Sequence, residues 1–225
     1  MKILFKYPTR SRPEWFIKTL GLYYARVSDK CNFEFVVTLN DDDESMKQMR
    51  VVSLMKSITN LNFYYGDHQD KIDACNADVD KCKDWDILIL VSDDMIPNKQ
   101  DFDLDIVKLM QDHFPDTDGA IHLNDGKFGK NRTITLSIIG RKLYERFNYV
   151  YHPSYRSFYC DNEFTDVVKA LGKCYYDNRV LIHHDWCGGP NSKDALYRRN
   201  SAMGDPDKQT YLTRKAAGFP MEIMI

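Results

Sequence analysis

The chain is predicted to fold as an α/β domain, a mostly parallel sheet flanked by helices. Three observations carry that reading. Ile87 to Val91 is an unbroken β-branched and leucine run, the mark of a strand covered on both faces, as in parallel sheets. Through residue 114, short apolar segments alternate with segments of helical spacing, the βαβα order of a parallel sheet. The polar clusters fall at strand ends: Thr9 to Arg12, Asp41, Ser92 to Asp94, Asp161, and His183 or His184. Open α/β sheets bind their ligands just outside the carboxyl ends of the strands.

In chain order, Ile3 to Tyr7 is the first strand and ends at Pro8-Thr9-Arg10-Ser11-Arg12-Pro13. Pro13 suits the first turn of a helix running through Trp15, Phe16, Leu20 and Tyr23. A strand turning into a helix start, with Thr, Ser and two arginines in the turn, is either an anion site or a solvated turn. Phe33 to Leu39 is the second strand, and Asn40-Asp41-Asp42-Asp43-Glu44 follows it. Asp42 or Asp43 is placed to cap a helix over Met46 to Met55. Asp41, nearest the strand end, is the candidate acceptor for a base or ribose. Leu61 to Tyr65 is a third strand, and Lys71 to Lys81 has helical spacing. Lys71 and Asn76 sit near that helix start, as ligand contacts or as ordinary exposed residues.

Ile87 to Val91 then forms the central strand, and a helix spans Asp103 to His113 with Leu104, Val107, Leu109 and Met110 on its apolar face. Ala120 to Leu123 and Thr133 to Ile139 are further strands. Between them, the polar, basic loop from Asn124 to Arg132 is a candidate lid or acceptor contact. Gly140 opens a short helix, and an aromatic stretch from Tyr149 to Tyr159 leads to Cys160-Asp161-Asn162-Glu163. A helix over Glu163 to Leu171 stops at Gly172, with Asp161 at its cap. Lys173 to Asp177 and Arg179 to Ile182 are extended, the latter running into His183 and His184. Adjacent residues on a strand face opposite ways, so at most one of the two histidines faces a site on the sheet. The tail from Asn191 is polar and basic, one or two helices packed outside the sheet.

The chain of 225 residues fits one domain with an extension, divided as residues 1–187 and 188–225. A hydrophobic content of 43% supports a core, and a net charge of −2 shows no global preference for nucleic acid or membrane. The six cysteines form no CxxC pair and no zinc spacing, and are read as reduced thiols of a cytoplasmic protein. The amino-terminal apolar run is too short for a signal peptide, and no stretch of 18 apolar residues offers a membrane span.

Ser92-Asp93-Asp94 carries the sharpest chemical signal. Two adjacent carboxylates at the end of a buried strand repel each other, and a cation holds them together. A divalent metal carrying phosphates satisfies that demand. Imidazole from His183 or His184 completes such a set for manganese-like ions.

These residues together resemble the GT-A fold glycosyltransferases, especially the inverting enzymes of the family 2 type. The resemblance covers roughly residues 2 to 187. It rests on the Pro8-Thr9 turn after the first strand, Asp41 after the second, Ser92-Asp93-Asp94 in the place of the DxD motif, and Cys160-Asp161-Asn162-Glu163 before a helix. It implies a Rossmann-like GT-A sheet with Mn2+ or Mg2+ on Asp94 and on His183 or His184. It further implies a nucleotide-diphosphate-sugar donor, a UDP-sugar first, held by Pro8, Thr9, Arg10, Arg12, Asp41, Lys71, Asn76, Ser92 and Asp93. Asp161 is implied as the catalytic base. Ser92 departs from the first Asp of the motif, and Cys160 from an acidic pair. The segment Tyr149 to Phe164 and the tail are similar to small transferase-like proteins of phages and large viruses, which would place the chain in a host cytoplasm. The acceptor stays open among a glycan, a small molecule and a modified DNA base, and so does the oligomeric state.

Three other classes share parts of this pattern. A nucleotidyltransferase calls for a Gly-rich phosphate loop after the first strand, and PTRSRP has no glycine. A metal-dependent phosphohydrolase calls for a nucleophilic Asp at the first strand and more clustered histidines. A non-catalytic nucleotide- or nucleic-acid-binding module would use the basic tail, with binding that weakens steeply with salt.

Overall fold

The computed structural model describes residues 1–127, 132–185 and 194–219. The boundary expected at residues 187 and 188 lies outside them, as do Cys187 and the middle of the loop from Asn124 to Arg132. The other five cysteines are free thiols.

The central run forms β4 (Ile87–Leu90), every residue of it buried. β1 (Lys2–Pro8) lies beside it, with β2 (Asn32–Asn40) and β3 (Leu61–Gly66) beyond, all parallel. On its other side the sheet turns antiparallel through β7 (Ile138–Gly140) to β6 (Ala120–Leu123), and β8 (Cys174–Asp177) closes the edge parallel to β6. The seven-stranded order is β3-β2-β1-β4-β7-β6-β8, the mostly parallel α/β sheet that the alternation predicts. A separate two-stranded ribbon pairs β5 (Met95–Pro97) with β9 (Ile182–His184), antiparallel.

Helices cover both faces. α1 (Pro13–Arg26) begins on Pro13 as expected and buries Phe16, Thr19, Leu20 and Tyr23, a three-to-four-residue stripe. With α2 (Met49–Ser57) and α4 (Phe102–His113) it packs on the side of Phe5, Tyr7, Phe35 and Ile89. α3 (Lys71–Asn76), α5 (Arg141–Glu145) and α6 (Cys160–Ala170) cover the opposite face around Leu4, Val36, Leu88 and Ile139. α7 (Ala195–Ser201) and α8 (Gly204–Ala216) follow, the helical tail that was expected.

Several boundaries differ from the sequence reading. The helix read as Lys71 to Lys81 is broken at Asp78, which takes a left-handed conformation (φ 63°). Its carboxylate accepts from Thr38 (2.7 Å) and Lys81 (2.6 Å), which pins the break to β2. The strand read as Thr133 to Ile139 shrinks to β7. Upstream, the Ile134 amide donates to Thr165 and the Thr135 hydroxyl to Asp125, so the segment bends over α6 instead of pairing. Gly140 ends β7 where a Cβ would lie 2.1 Å from the Thr117 carbonyl oxygen, leaving room for hydrogen alone. The extended segment expected over Arg179 to Ile182 becomes β9, because Arg179 turns back onto Asp177. The helix expected from Glu163 starts at Cys160, so Asp161 lies in its first turn and Tyr159 is the cap.

Candidate active site

The site starts with how the Ser92-Asp93-Asp94 turn is held. Asp93 points inward and is buried at 4% exposure. Its carboxylate accepts from the Tyr7 hydroxyl (3.0 Å), near the end of β1, and from Thr9 (3.2 Å), just past it. Its carbonyl oxygen accepts from Thr19 on α1 at 2.8 Å, and the Met95 carbonyl accepts from Tyr23 at 2.9 Å. Burial pushes the Asp93 carboxyl up to about 7, against the hydrogen bond from Tyr7 and with the charge of Asp94. Asp93 thus fastens the turn to β1 and α1.

Asp94 behaves in the opposite way. Burial alone would raise its pKa, but His184, the Ser92 hydroxyl, Lys71 and Arg12 hold it below the usual carboxylate range. Adjacent carboxyls driven apart in this way divide into one structural acid and one persistent anion. The His184 Nε2 stands 3.8 Å from Asp94 Oδ1. The ribbon builds that approach: Met95 pairs with His184, and the Asp185 amide donates to the Asp94 carbonyl at 2.8 Å. His184 is further tied by its amide to the Asp125 carbonyl at 2.9 Å. Its neighbour His183 packs its ring against Gly126, where a Cβ would lie 2.2 Å from Nδ1 and the backbone has φ +88°. Of the two histidines, then, His184 is the one set against Asp94.

Lys71 opens α3 directly after the β3 turn. Lys71 is exposed to solvent. Burial tends to lower its pKa, yet Cys75, Cys160, Asp94 and Asp161 together raise it overall, so the ammonium stays charged. Asp161, half-buried in the first turn of α6, has its carboxyl raised by burial and lowered in part by Lys71. Its Oδ1 accepts only the short local contact from the Asn162 amide (3.0 Å) among the hydrogen bonds to its side chain in the described residues.

Other residues singled out from the sequence have different duties. Arg10 makes a two-pronged contact with Asp42 at 2.6 and 2.7 Å on the rim. Arg12 is bonded to Asp194 at the cap of α7 (2.7 Å) and still acts electrostatically on Asp93 and Asp94. Pro8 ends β1 opposite Thr38, and Asp41 is exposed at the end of β2, its amide donating to Gly66. Asp43 caps the 3-10 turn over Glu44–Lys47 and also accepts the Ser11 amide at 2.6 Å. Asn76, expected to contact ligand, is committed to the main chain instead. Its oxygen accepts the Val150 and Tyr151 amides (2.9 and 3.0 Å), and its nitrogen donates to the Tyr151 carbonyl at 2.7 Å. It is a clamp between α3 and the aromatic stretch.

Among the described residues, no three His, Cys, Asp or Glu side chains form a ready-made metal cage. Nor does any described helix have the length and apolarity to cross a membrane. A concavity of about 250 Å3 lies beside Trp85 and Tyr144, and a smaller one lies behind α6 near Phe164 and Arg214. Neither includes Asp94, which follows β4, Lys71, which follows β3, or Asp161 in the first turn of α6.

No family model and no curated protein matches the sequence. Solved structures do match the fold. A mannosyltransferase from Pyrobaculum calidifontis, in complex with GDP-Man and Mn2+, superposes with a TM-score of 0.69 at 15% identity, over 94% of this chain and 64% of that one. S. aureus TarS 1-349 in complex with UDP-GlcNAc superposes with a TM-score of 0.66 at 14% identity, over 87% of this chain and 61% of that one. The chain thus spans under two thirds of the length of these proteins. The fold is GT-A-like.

Proposed function

We propose that this protein is a metal-dependent glycosyltransferase that moves a sugar from a nucleotide-diphosphate-sugar to an acceptor hydroxyl with inversion. One observation carries the reading: beyond the end of β4 in a GT-A-like sheet, Asp94 stands 3.8 Å from His184 and interacts electrostatically with Lys71, which interacts in turn with Asp161. The mannosyltransferase and TarS, structures with GDP-Man and Mn2+ and with UDP-GlcNAc, support the same substrate class.

Asp94 and His184 suit a divalent ion. Their 3.8 Å separation is too long for a hydrogen bond and shorter than two metal–ligand bonds of about 2.1 Å each. An ion held by one or two side chains draws its remaining ligands from substrate phosphates, which is the habit of Mg2+ and of similar hard cations. Manganese or magnesium bound there would offset the charge of the departing diphosphate. Lys71 adds a second positive charge on that leaving group and needs no proton transfer to do so. Asp161 takes the proton from the acceptor hydroxyl as the acceptor oxygen bonds to the anomeric carbon. The bond from that carbon to the diphosphate oxygen breaks, and the nucleoside diphosphate leaves with the electron pair. Attack from the face opposite the leaving group inverts the centre. Thr9 and Tyr7 act through Asp93, keeping the Asp94 turn in register. Asp41, Pro8 and the Arg12 side of the turn form the donor's nucleoside end, with UDP-sugars the first to test. The sugar would be a hexosyl or pentosyl group, and the site of action cytoplasmic.

Asp161→Asn tests the reading directly, with UDP-GlcNAc and GDP-mannose as donors and release of UDP or GDP as the signal. Turnover is expected to fall to background while manganese-dependent nucleotide binding persists. Loss of binding to the same degree would make Asp161 a structural residue of α6. Wild-type turnover would remove it from the chemistry.

A further inference from the structure

α8 is attached to the protein in an unusual way for a terminal helix. Asp207 is the one residue of its thirteen that is buried, at 2% exposure, so an apolar seam does not hold it. Hydrogen bonds do, and they converge around Asp161. The Asp207 carboxylate accepts the amides of Arg156 (3.0 Å), Ser157 (2.8 Å) and Phe158 (2.7 Å), the turn that leads into α6. Arg214 makes a two-pronged contact with Glu163, at 2.7 and 2.8 Å, two residues beyond Asp161. Glu163 also accepts from Tyr155 at 2.7 Å. The Tyr211 hydroxyl and the Lys215 ammonium both donate to Asp166, at 2.7 and 2.8 Å.

The same turn reaches Lys71. The Arg156 carbonyl accepts the amides of Lys71 (3.1 Å) and Ile72 (3.3 Å), the first residues of α3. One short segment therefore carries the starts of both helices that present charge to the site. Between its two ends, Tyr159 holds a left-handed backbone (φ 60°), uncommon for a residue with a side chain. The Tyr211 ring lies over it at 5.6 Å between centroids. Directional contacts of this kind fix a position, whereas apolar burial would tolerate sliding.

We propose that Asp207 is a positioning residue for the reaction: by fixing the 156–158 turn from α8, it sets Asp161 against the acceptor oxygen. This rests on the transferase reading above.

Asp207→Asn in the full chain tests it, beside Asp161→Asn. Amide hydrogen exchange at 156–158 and at Lys71 and Ile72 reports the turn without any metal or donor. Release of UDP from UDP-GlcNAc or of GDP from GDP-mannose reports turnover. In Asp207→Asn those amides are expected to lose protection and turnover to fall about tenfold or more, with manganese–nucleotide affinity kept within about twofold. Two results would overturn the proposal: unchanged exchange, or wild-type turnover despite lost protection. Should Asp207→Asn fail to fold, Arg214→Lys, which keeps the charge and loses the two-pronged contact, is read by the same criteria. Wild-type turnover by Asp161→Asn alone would strike the transferase reading itself, and this proposal with it.

Discussion

Asp94 and His184 face each other across 3.8 Å because two strands outside the main sheet pair with each other. The β5–β9 ribbon places Met95 opposite His184, which brings residues 90 positions apart to the end of the central strand β4. The two side chains are the part of the site suited to a divalent ion, and the account of the site turns on them. His184→Ala is expected to lower manganese affinity about tenfold or more, the scale of a ligand-shell change. His183→Ala is expected to lower it less, because that ring lies on Gly126. Titration of manganese binding on the two variants reads the difference directly.

Lys71→Met should raise the KM for the donor about tenfold or more, since in the proposed reaction its ammonium, which interacts electrostatically with Asp94 and Asp161, offsets charge on the diphosphate. Steady-state kinetics at fixed manganese measures it. A change confined to stability, with KM unaltered, would return Lys71 to the role of an exposed helix residue.

Asn76→Ala should destabilise the fold by about 2–4 kcal/mol, because its side chain makes three hydrogen bonds to the main chain, each contributing about 1 kcal/mol. Nucleotide affinity of the folded variant should stay at the wild-type level. Urea unfolding and a nucleotide titration separate the two effects.

His122 gives a pH dependence of defined sign. It is buried at 2% exposure, its ring against Tyr176 at 5.0 Å. Burial lowers its pKa from 6.5 to about 4, with Lys169 acting the same way and Asp125 opposing. Between those values the unfolded chain binds a proton that the folded protein refuses, so this contribution is complete above pH 6.5 and is lost as the pH falls toward 4. The Tm of the wild type should therefore drop more steeply over that interval than that of His122→Gln. Parallel slopes would show that His122 is not the group responsible.

The layout of the fold was legible because its signals are local. An unbroken apolar run at Ile87 to Val91 makes a buried strand whatever surrounds it, and Pro13 starts α1 by its own geometry. Asp93 and Asp94 could be singled out from their place at the end of that run, but not told apart. Their division depends on Tyr7 and Thr9 more than 80 residues upstream and on His184 90 residues downstream. The main-chain partners of Asn76 were hidden for the same reason, since they are groups of residues 150 and 151. Asp207 left no trace at all: in sequence it is one acid in a polar helix, and its role appears only when three amides some 50 residues away converge on it.

The central claim is a metal-dependent nucleotide-sugar site on Asp94. Thermal shift of the wild type and of Asp94→Ala with UDP and GDP, each with and without manganese, tests it most directly. The account predicts a rise in Tm with at least one nucleotide that needs manganese and vanishes in Asp94→Ala, as ligand linkage requires. A rise that persists without manganese or in Asp94→Ala, or none with either nucleotide, would contradict it.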